Sequence, residues 1–449
     1  MTSNYTTISH IGLGTYRMCT NALKNKVAFY DALTRKPKAP IINVIDTSPN
    51  FFDLGSEKIV GEYLGDIWNR SQKENFVNNN NNNNNQGCTI FKREDIFLSS
   101  KFGNITGENI GSEIEGLKVP SGSIVRNSEY CYHCIHPEFM RAQLYKSLEQ
   151  LKTNYLDIFF INNPEHFLKK HVTFIANNRK VLGKVMLERI SETFIALEQA
   201  ISQGLIRSYG ISSSSFALPN TDVNFLPYEN LLDRARNASR IVRGTENHGF
   251  TAIQFPANML EPIGLATTAK WAKSNGLKVF VNRPFNAFTK DGRFRLASYP
   301  KSSYDQIKKT TIARIKMLTQ GYNDFHIEGL IDWIIRIDSQ LSEFESIYHF
   351  DAYRVILEQR IKKVHNDPMI RMILKDFING LEDEIKYRDS RRVKTYLRKN
   401  GWESLIKNRP IEEVAYIFLK DSGVVDCVLM ELTAKNYVDF AIQMLEKYK

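Results

Sequence analysis

The sequence predicts an α/β fold: a closed (β/α)8 TIM barrel with a large helical insertion between its seventh strand and the helix that follows. Three observations predict it. Short β-rich runs alternate with amphipathic helical stretches, the pattern of βαβ units and a parallel sheet. The runs number eight, the count of a closed barrel. The stretch 291–408 is helical in period and interrupts the alternation only after the seventh run.

Taken in order, the weakest run is His10–Leu13. It is followed by Ile41–Asp46, Ile96–Lys101, Leu156–Ile161, Ile206–Ile211, Thr251–Phe255, Leu277–Asn282 and Val424–Met430. Between them, Glu138–Lys152 sets Phe139, Leu144, Leu148 and Leu151 on one helical face. Glu188–Gln203 repeats the pattern with Ile190, Phe194, Leu197 and Ile201, and the chain closes on Ile411–Ser422 and Ala434–Tyr448. A doubly wound open sheet is the competing architecture. It wants a Gly-x-Gly-x-x-Gly turn after its first strand, and Gly12-Leu13-Gly14-Thr15 lacks the third glycine.

The barrel therefore comprises residues 8–290 and 409–449, and 291–408 form a helical subdomain with Leu330, Ile331, Ile334, Ile335, Leu341 and Ile347 in its apolar period. Loops after barrel strands cluster at the active face, so this one is expected to overhang the site as a lid or partner surface. Eight consecutive asparagines, Asn78–Asn85, predict a disordered surface loop, because a polar homopolymer buries too little apolar surface to offset its ordering entropy.

Composition narrows the class. The chain is 42% hydrophobic and 24% charged, close to a soluble globular average. No apolar run approaches the ~20 residues of a membrane span. The N-terminal segment has neither the basic start nor the apolar core of a secretion signal. Five cysteines, an odd number in a large chain, argue against a disulfide framework and for a reducing compartment, the cytoplasm.

The net charge of +11 favours anionic ligands such as nucleotides and acidic metabolites. Part of the excess lies in Lys169–Lys184 and Lys362–Arg409, but the second stretch also carries many acids. It reads as a solvated helix face, and nucleic acid is not an expected partner. Cys131 and Cys134, with His133 and His136, form one CxxC lacking the distant second pair of a structural zinc site, so no metal is expected.

Several blocks carry a more specific signal. They are Ile11-Gly12-Leu13-Gly14-Thr15-Tyr16-Arg17; Asp46-Thr47-Ser48-Pro49-Asn50-Phe51 with Gly55-Ser56-Glu57-Lys58-Ile59-Val60-Gly61; and Phe97-Leu98-Ser99-Ser100-Lys101. Further along come His133–Phe139, Ser147–Leu151, Tyr155–Asp157, Asn163-Pro164-Glu165, Glu198–Ala200 and Gly204–Gly210. In this order and spacing, over residues 8–290 and 409–449, they resemble the aldo-keto reductase superfamily, of which the chain is identified as a diverged member.

The resemblance implies reduction of aldehydes and ketones with NADPH. A tyrosine donates the proton, its pKa lowered by a lysine that is itself paired with an aspartate, and a histidine orients the substrate. By position, Asp46 matches the aspartate and Lys101 the lysine. The tyrosine position holds Phe51, followed by the equally apolar Phe52, and the histidine position holds Asn162. Phenylalanine has no proton to give at any pH, whereas Asn162 retains an amide N–H but is no acid. Loss of a positioned acid costs ~10²–10⁴-fold in rate. Lys101 itself, or Tyr130, Tyr132 or His133 from the loop before the third helix, are the remaining proton sources.

For an NADP cofactor the resemblance assigns Gly14, Thr15, Asp46, Asn163, Ser212, Ser213 and Gln254, with Arg283 as a phosphate contact. Asn282 stands where an aromatic would stack on the nicotinamide. Glu431, Leu432 and Thr433 stand where small residues would meet the adenosine phosphate, and a carboxylate there repels a 2′-phosphate. Two functional readings follow. One is an NAD(P)H-linked oxidoreductase acting on a carbonyl compound with altered acid chemistry. The other is an impaired barrel that binds a nucleotide or partner as a regulatory or scaffold protein. The expected partners are a small-molecule carbonyl substrate or nucleotide, and a protein at the helical insertion.

Overall fold

In a computed structural model the chain is described over residues 7–448, except 19–21, 36–41, 52–54, 81–91, 108–109, 111–113, 115, 121, 170–171, 223, 319–324, 345 and 365–366. Phe52 and Asn81–Asn85 fall outside the described residues, while Asn78–Asn80 end the helix Gly55–Asn80. The chain divides into two compact units, Met1–Pro284 with Leu419–Lys449, and Phe285–Phe418.

The first unit is the barrel. Its strands are β1 (Ile11–Gly14), β2 (Val44–Asp46), β3 (Phe97–Phe102), β4 (Leu156–Asn162), β5 (Ile206–Ser212), β6 (Phe250–Pro256), β7 (Lys278–Asn282) and β8 (Cys427–Met430). Each pairs in parallel with its neighbours in chain order, and Ile11 opposite Val428 closes the ring between β1 and β8. The predicted eight-stranded barrel is the observed one. No helix among the described residues is long and apolar enough to cross a membrane.

Because side chains alternate across a strand, every second residue enters the barrel. The lower layers are apolar: Val44, Phe97, Ile158, Phe160, Ala252, Phe280, Cys427 and Leu429 form one buried cluster. Phe280 stacks on Phe97 at 6.0 Å and meets Phe160 edge-on at 5.9 Å. Gly210 makes room for the Phe160 ring, since a Cβ there would lie 2.6 Å from it and 2.5 Å from the Ala252 carbonyl. Two residues further along the same strands the inward positions turn polar: Asp46, Ser99, Gln254, Asn162, Ser212 and Asn282. The period that packs the floor thus lifts a polar layer to the C-terminal mouth, where barrel sites are built.

At the opposite end Asp157 ties three strands together. Its carboxylate pairs with Arg93 at 2.9 Å and Arg207 at 3.1 Å and accepts from the Leu98 N–H at 2.9 Å. Both guanidinium groups lie against the Tyr155 ring, at 4.0 and 4.2 Å from its centre.

The second unit packs helices Tyr304–Leu318, Phe325–Ser339, Ile347–Val364 and Pro368–Lys399 around Ile334, Phe350, Leu374, Phe377 and Leu381. Asp367 caps the longest of them, accepting from the Met369 N–H at 2.7 Å, with Pro368 in the first turn, where its missing N–H costs nothing. The expectation of an almost wholly helical insertion needs one correction. An antiparallel hairpin, Asn286–Thr289 with Gly292–Arg295, opens this unit. It turns at Gly292, whose φ of 125° suits glycine alone. A second antiparallel sheet, of Asn104–Thr106, Cys131–His133 and Val125–Ser128, follows β3, where the sequence pattern predicts none.

Candidate active site

The mouth of the barrel is organised around Lys101, which ends the inward series Phe97, Ser99, Lys101 of β3 and is only 2% exposed. Its ammonium donates to Asp46 Oδ2 at 2.6 Å and to the Thr47 carbonyl at 2.9 Å. Its third N–H has no hydrogen-bonding partner among the described residues. Instead the nitrogen lies over the Phe51 ring, 5.0 Å from its centre. A cation over an aromatic face is held by the ring quadrupole, but the ring supplies no oxygen. Burial pushes the Lys101 pKa down from its ordinary value, against the opposing pull of Asp46.

Asp46 anchors the rest of the layer. Its Oδ1 accepts from Ser99 Oγ at 2.8 Å and from Gln254 Nε2 at 3.0 Å. Gln254 Oε1 in turn accepts from Ser212 Oγ at 2.8 Å and Asn282 Nδ2 at 3.4 Å. One hydrogen-bonded chain therefore runs from Lys101 through Asp46 and Gln254 to Ser212 and spans β2, β3, β5, β6 and β7. Gly14, at the end of β1, pairs with Asp46. Thr15 follows it, buried, and its N–H donates to the Asp46 carbonyl at 3.1 Å.

Other predicted positions lie at the rim. Asn162 ends β4, and its side-chain amide has no hydrogen-bonding partner among the described residues. Its carbonyl oxygen lies 2.8 Å from His133 Nε2. That approach depends on Gly103, where a Cβ would stand 2.5 Å from the carbonyl and 2.9 Å from the imidazole. His133, the predicted loop residue that meets the Asn162 backbone carbonyl, is itself buried. Tyr130 is 73% exposed, and Tyr132 lies beneath Arg126. Asn163 and Arg283 follow the ends of β4 and β7 in left-handed backbone, φ 48° and 54°. Ser213 turns from the mouth, donating to Glu165 Oε2 at 2.8 Å and accepting from the Ser215 N–H at 3.0 Å. Burial raises the Glu165 pKa, opposed by the bonds it accepts.

Two charged positions have partners that the sequence order concealed. Arg283 pairs with Glu261 at 3.2 Å. Glu431, just past β8, pairs with Arg17 of the turn after β1 at 3.4 Å. Tyr16, given no role from sequence, packs its ring edge-on to Phe51 at 5.2 Å. A hydroxyl-bearing aromatic directly after Thr15 was the signal that could have singled it out.

The layer can be tested against a nicotinamide carboxamide, which presents one acceptor and one donor group. Asn163, Ser212 and Gln254 supply both complements, so that end fits. The adenosine end fits less well: Asn282 offers no aromatic face, Arg283 is already paired, and Glu431 is a carboxylate. Among the described residues no group of three His, Cys, Asp or Glu side chains stands together as a metal site.

The aldo/keto reductase family model matches residues 10–220. Prostaglandin F synthase 1 of Bos taurus is 25% identical over 178 residues, 38% of this chain and 53% of that protein. Aldo-keto reductase family 1 member C21 of Mus musculus is 30% identical over 112 residues, 24% of this chain and 34% of that protein. The chain thus spans about half the length of the curated relatives it matches, or less. Among solved structures, an aldo-keto reductase of Bacillus halodurans in its holo form is 16% identical, covering 98% of this chain and 87% of that one, with a TM-score of 0.46. An aldo/keto reductase of Klebsiella pneumoniae in complex with NADP and acetate is 17% identical, covering 62% and 65%, with a TM-score of 0.35.

Proposed function

We propose, from the premise that this chain belongs to the aldo/keto reductase family over residues 10–220, that it is an NAD(P)H-linked oxidoreductase acting on carbonyl compounds with rebuilt acid chemistry. The observation that carries the proposal is the buried Lys101–Asp46 pair, continuous through Gln254 with Ser212. A packed barrel has no structural need for a buried lysine at its mouth, because removing a charge from water costs several kcal/mol even when it is paired. A buried, perturbed ion pair at the mouth is the kind of group that marks a functional site.

In this reading Asn163, Ser212 and Gln254 hold a nicotinamide carboxamide, and the bound dinucleotide supplies hydride. Asp46 fixes Lys101 so that its unsatisfied N–H faces the mouth, where it stabilises negative charge on a carbonyl oxygen. The Asn162 amide serves as a second donor to that oxygen. Phe51 supplies only apolar surface.

The test is oxidation of NADPH and NADH with a panel of aldehydes and quinones, alongside cofactor titration by nicotinamide fluorescence. Slow, carbonyl-dependent oxidation that Lys101→Met abolishes is expected. Cofactor titration without any such oxidation would favour the second reading, an impaired barrel serving as a regulatory or scaffold protein. That reading draws on Phe51 and on the pairing of Arg283 with Glu261. Absence of cofactor binding would refute the oxidoreductase.

We retain the helical insertion 291–408 as a protein-partner surface, to be tested by pull-down with and without it. We also assign the protein to the cytoplasm. Cys131, Cys134 and Cys427 carry free thiols, which suits a reducing compartment, and fractionation is the check.

A further inference from the structure

An ammonium carries three N–H donors, and acceptors placed on them hold it in its charged form. Lys101 has two such acceptors, Asp46 Oδ2 at 2.6 Å and the Thr47 carbonyl at 2.9 Å. On its third side stands the Phe51 ring, centred 5.0 Å from the nitrogen, which accepts no hydrogen bond from it. Asp46 has no second oxygen to offer, because its Oδ1 already accepts from Ser99 and Gln254. Burial acts in the same direction and lowers the Lys101 pKa.

The nitrogen is thus fixed in place, holds its proton weakly, and touches a carboxylate able to take that proton. These are the features of a lysine that attacks carbonyl carbon: desolvated, and next to a base. Its surroundings open toward one side. Thr47 is fully buried, whereas Phe51, Asn163 and Asn282, which end or follow their strands at the mouth, are partly exposed.

We propose that Lys101 is a nucleophile that captures small aldehydes as an imine at the mouth of the barrel. The assignment rests on the carbonyl-accepting half of the oxidoreductase reading and needs no dinucleotide. Asp46 takes one proton from the ammonium, and the freed nitrogen lone pair attacks the carbonyl carbon. The π electrons pass to oxygen, which takes that proton back from Asp46 to give a carbinolamine. A second nitrogen-bound proton passes through Asp46 to the hydroxyl, the C–O bond breaks, and water leaves as the nitrogen lone pair forms C=N. In sum, an ammonium and an aldehyde become an iminium and water. The positive charge stays on nitrogen with Asp46 as its counter-ion, so no new charge is buried. Aldehydes fit better than ketones, because a second carbon substituent would crowd the attack beside the Phe51 ring.

The test treats the full chain, without added dinucleotide, with propanal and cyanoborohydride, which reduces an iminium to a stable propyl amine. Peptide mass spectrometry then locates the label. At about pH 6, where exposed lysines are almost fully protonated, Lys101 should gain one propyl group at least ~10-fold faster than Lys435, a tenfold gain for each unit of lowered pKa. Lys435, whose side chain is 67% exposed, is the internal reference. The Lys101 rate should also level off at a lower pH than that of Lys435. Lys101→Arg keeps the charge and the donors to Asp46 but has no amine, and should lose this label while Lys435 reacts as before. Circular dichroism confirms that the variant is folded. Labelling of Lys435 without Lys101, or of Lys101 only after unfolding in urea, overturns the assignment. So does a Lys101 rate that follows pH in parallel with Lys435. NADPH oxidation without a Lys101 adduct overturns the imine alone, whereas an adduct in a protein that binds neither dinucleotide overturns the oxidoreductase alone.

Discussion

Glu57 offers the sharpest quantitative prediction, and it concerns the outer face of the barrel. Its side chain is fully buried, accepts from Ser100 Oγ at 2.5 Å through Oε1, and leaves Oε2 without a hydrogen-bonding partner among the described residues. Burial pushes its carboxyl up to about 7, the Ser100 bond opposing, from 4.5 in an exposed chain. An acid whose folded pKa is raised keeps its proton in the native state after the unfolded chain has released it. The cost of ionising Glu57 is therefore absent below pH 4.5, grows between 4.5 and 7, and is complete above 7. At 1.36 kcal/mol per unit the span amounts to about 3 kcal/mol.

Glu57→Gln keeps the shape and the acceptor for Ser100 but removes the titration. Relative to wild type, the variant should gain about 3 kcal/mol in unfolding free energy between pH 4.5 and pH 8. Urea unfolding at several pH values, followed by Trp68 and Trp271 of the barrel in a chain with Trp333 and Trp402 changed to Phe, isolates the right unit. A difference curve flat across that window would show that Glu57 ionises freely and that the burial argument is wrong.

Three further changes probe the frame. Asp157→Ala strips two arginines and the Leu98 amide of their shared partner at the base of the barrel, far from the mouth. It should cost about 3–5 kcal/mol in urea unfolding while leaving cofactor titration unaltered. Gly210→Ala drives a methyl group into the Phe160 ring and the Ala252 carbonyl. A loss of at least about 2 kcal/mol is expected by the same unfolding measurement. Asp367→Ala removes the cap of helix Pro368–Lys399 and should cost the second unit about 1 kcal/mol, read from Trp333 and Trp402 fluorescence.

Period-2 patterning with Ile, Val and Phe made the barrel strands legible, because a strand buried against its neighbours constrains composition locally. β1 and β8 were correspondingly harder to bound. The pattern predicts a strand over Val424–Met430 where only Cys427–Met430 forms one, and His10–Leu13 lies one residue out of register with Ile11–Gly14. The two small antiparallel sheets escaped for a different reason. Cys131–His133 is three residues long, and the hairpin at Gly292 alternates basic with apolar residues, so neither stands out from a loop in composition.

At the mouth, the residues that could be placed were those whose neighbours in sequence are also their neighbours in space. Asp46 ends β2 and Lys101 is the last residue but one of β3, and the C-terminal ends of strands converge in any closed parallel barrel, so their meeting at 2.6 Å follows from topology. The pairing of Glu431 with Arg17 joins the two extremes of the chain and depends on how β8 closes against β1. From sequence Glu431 was an isolated carboxylate; in the structure a guanidinium screens it, which weakens its predicted repulsion of a nearby phosphate. The same bridge ties the turn after β1 to the end of β8, so removing it acts on both the screening and the turn. Arg17→Ala separates these effects. It should leave Glu431 unscreened and lower NADPH affinity more than NADH affinity in fluorescence titrations. An equal loss for both cofactors would mean that Glu431 does not face the adenosine ribose.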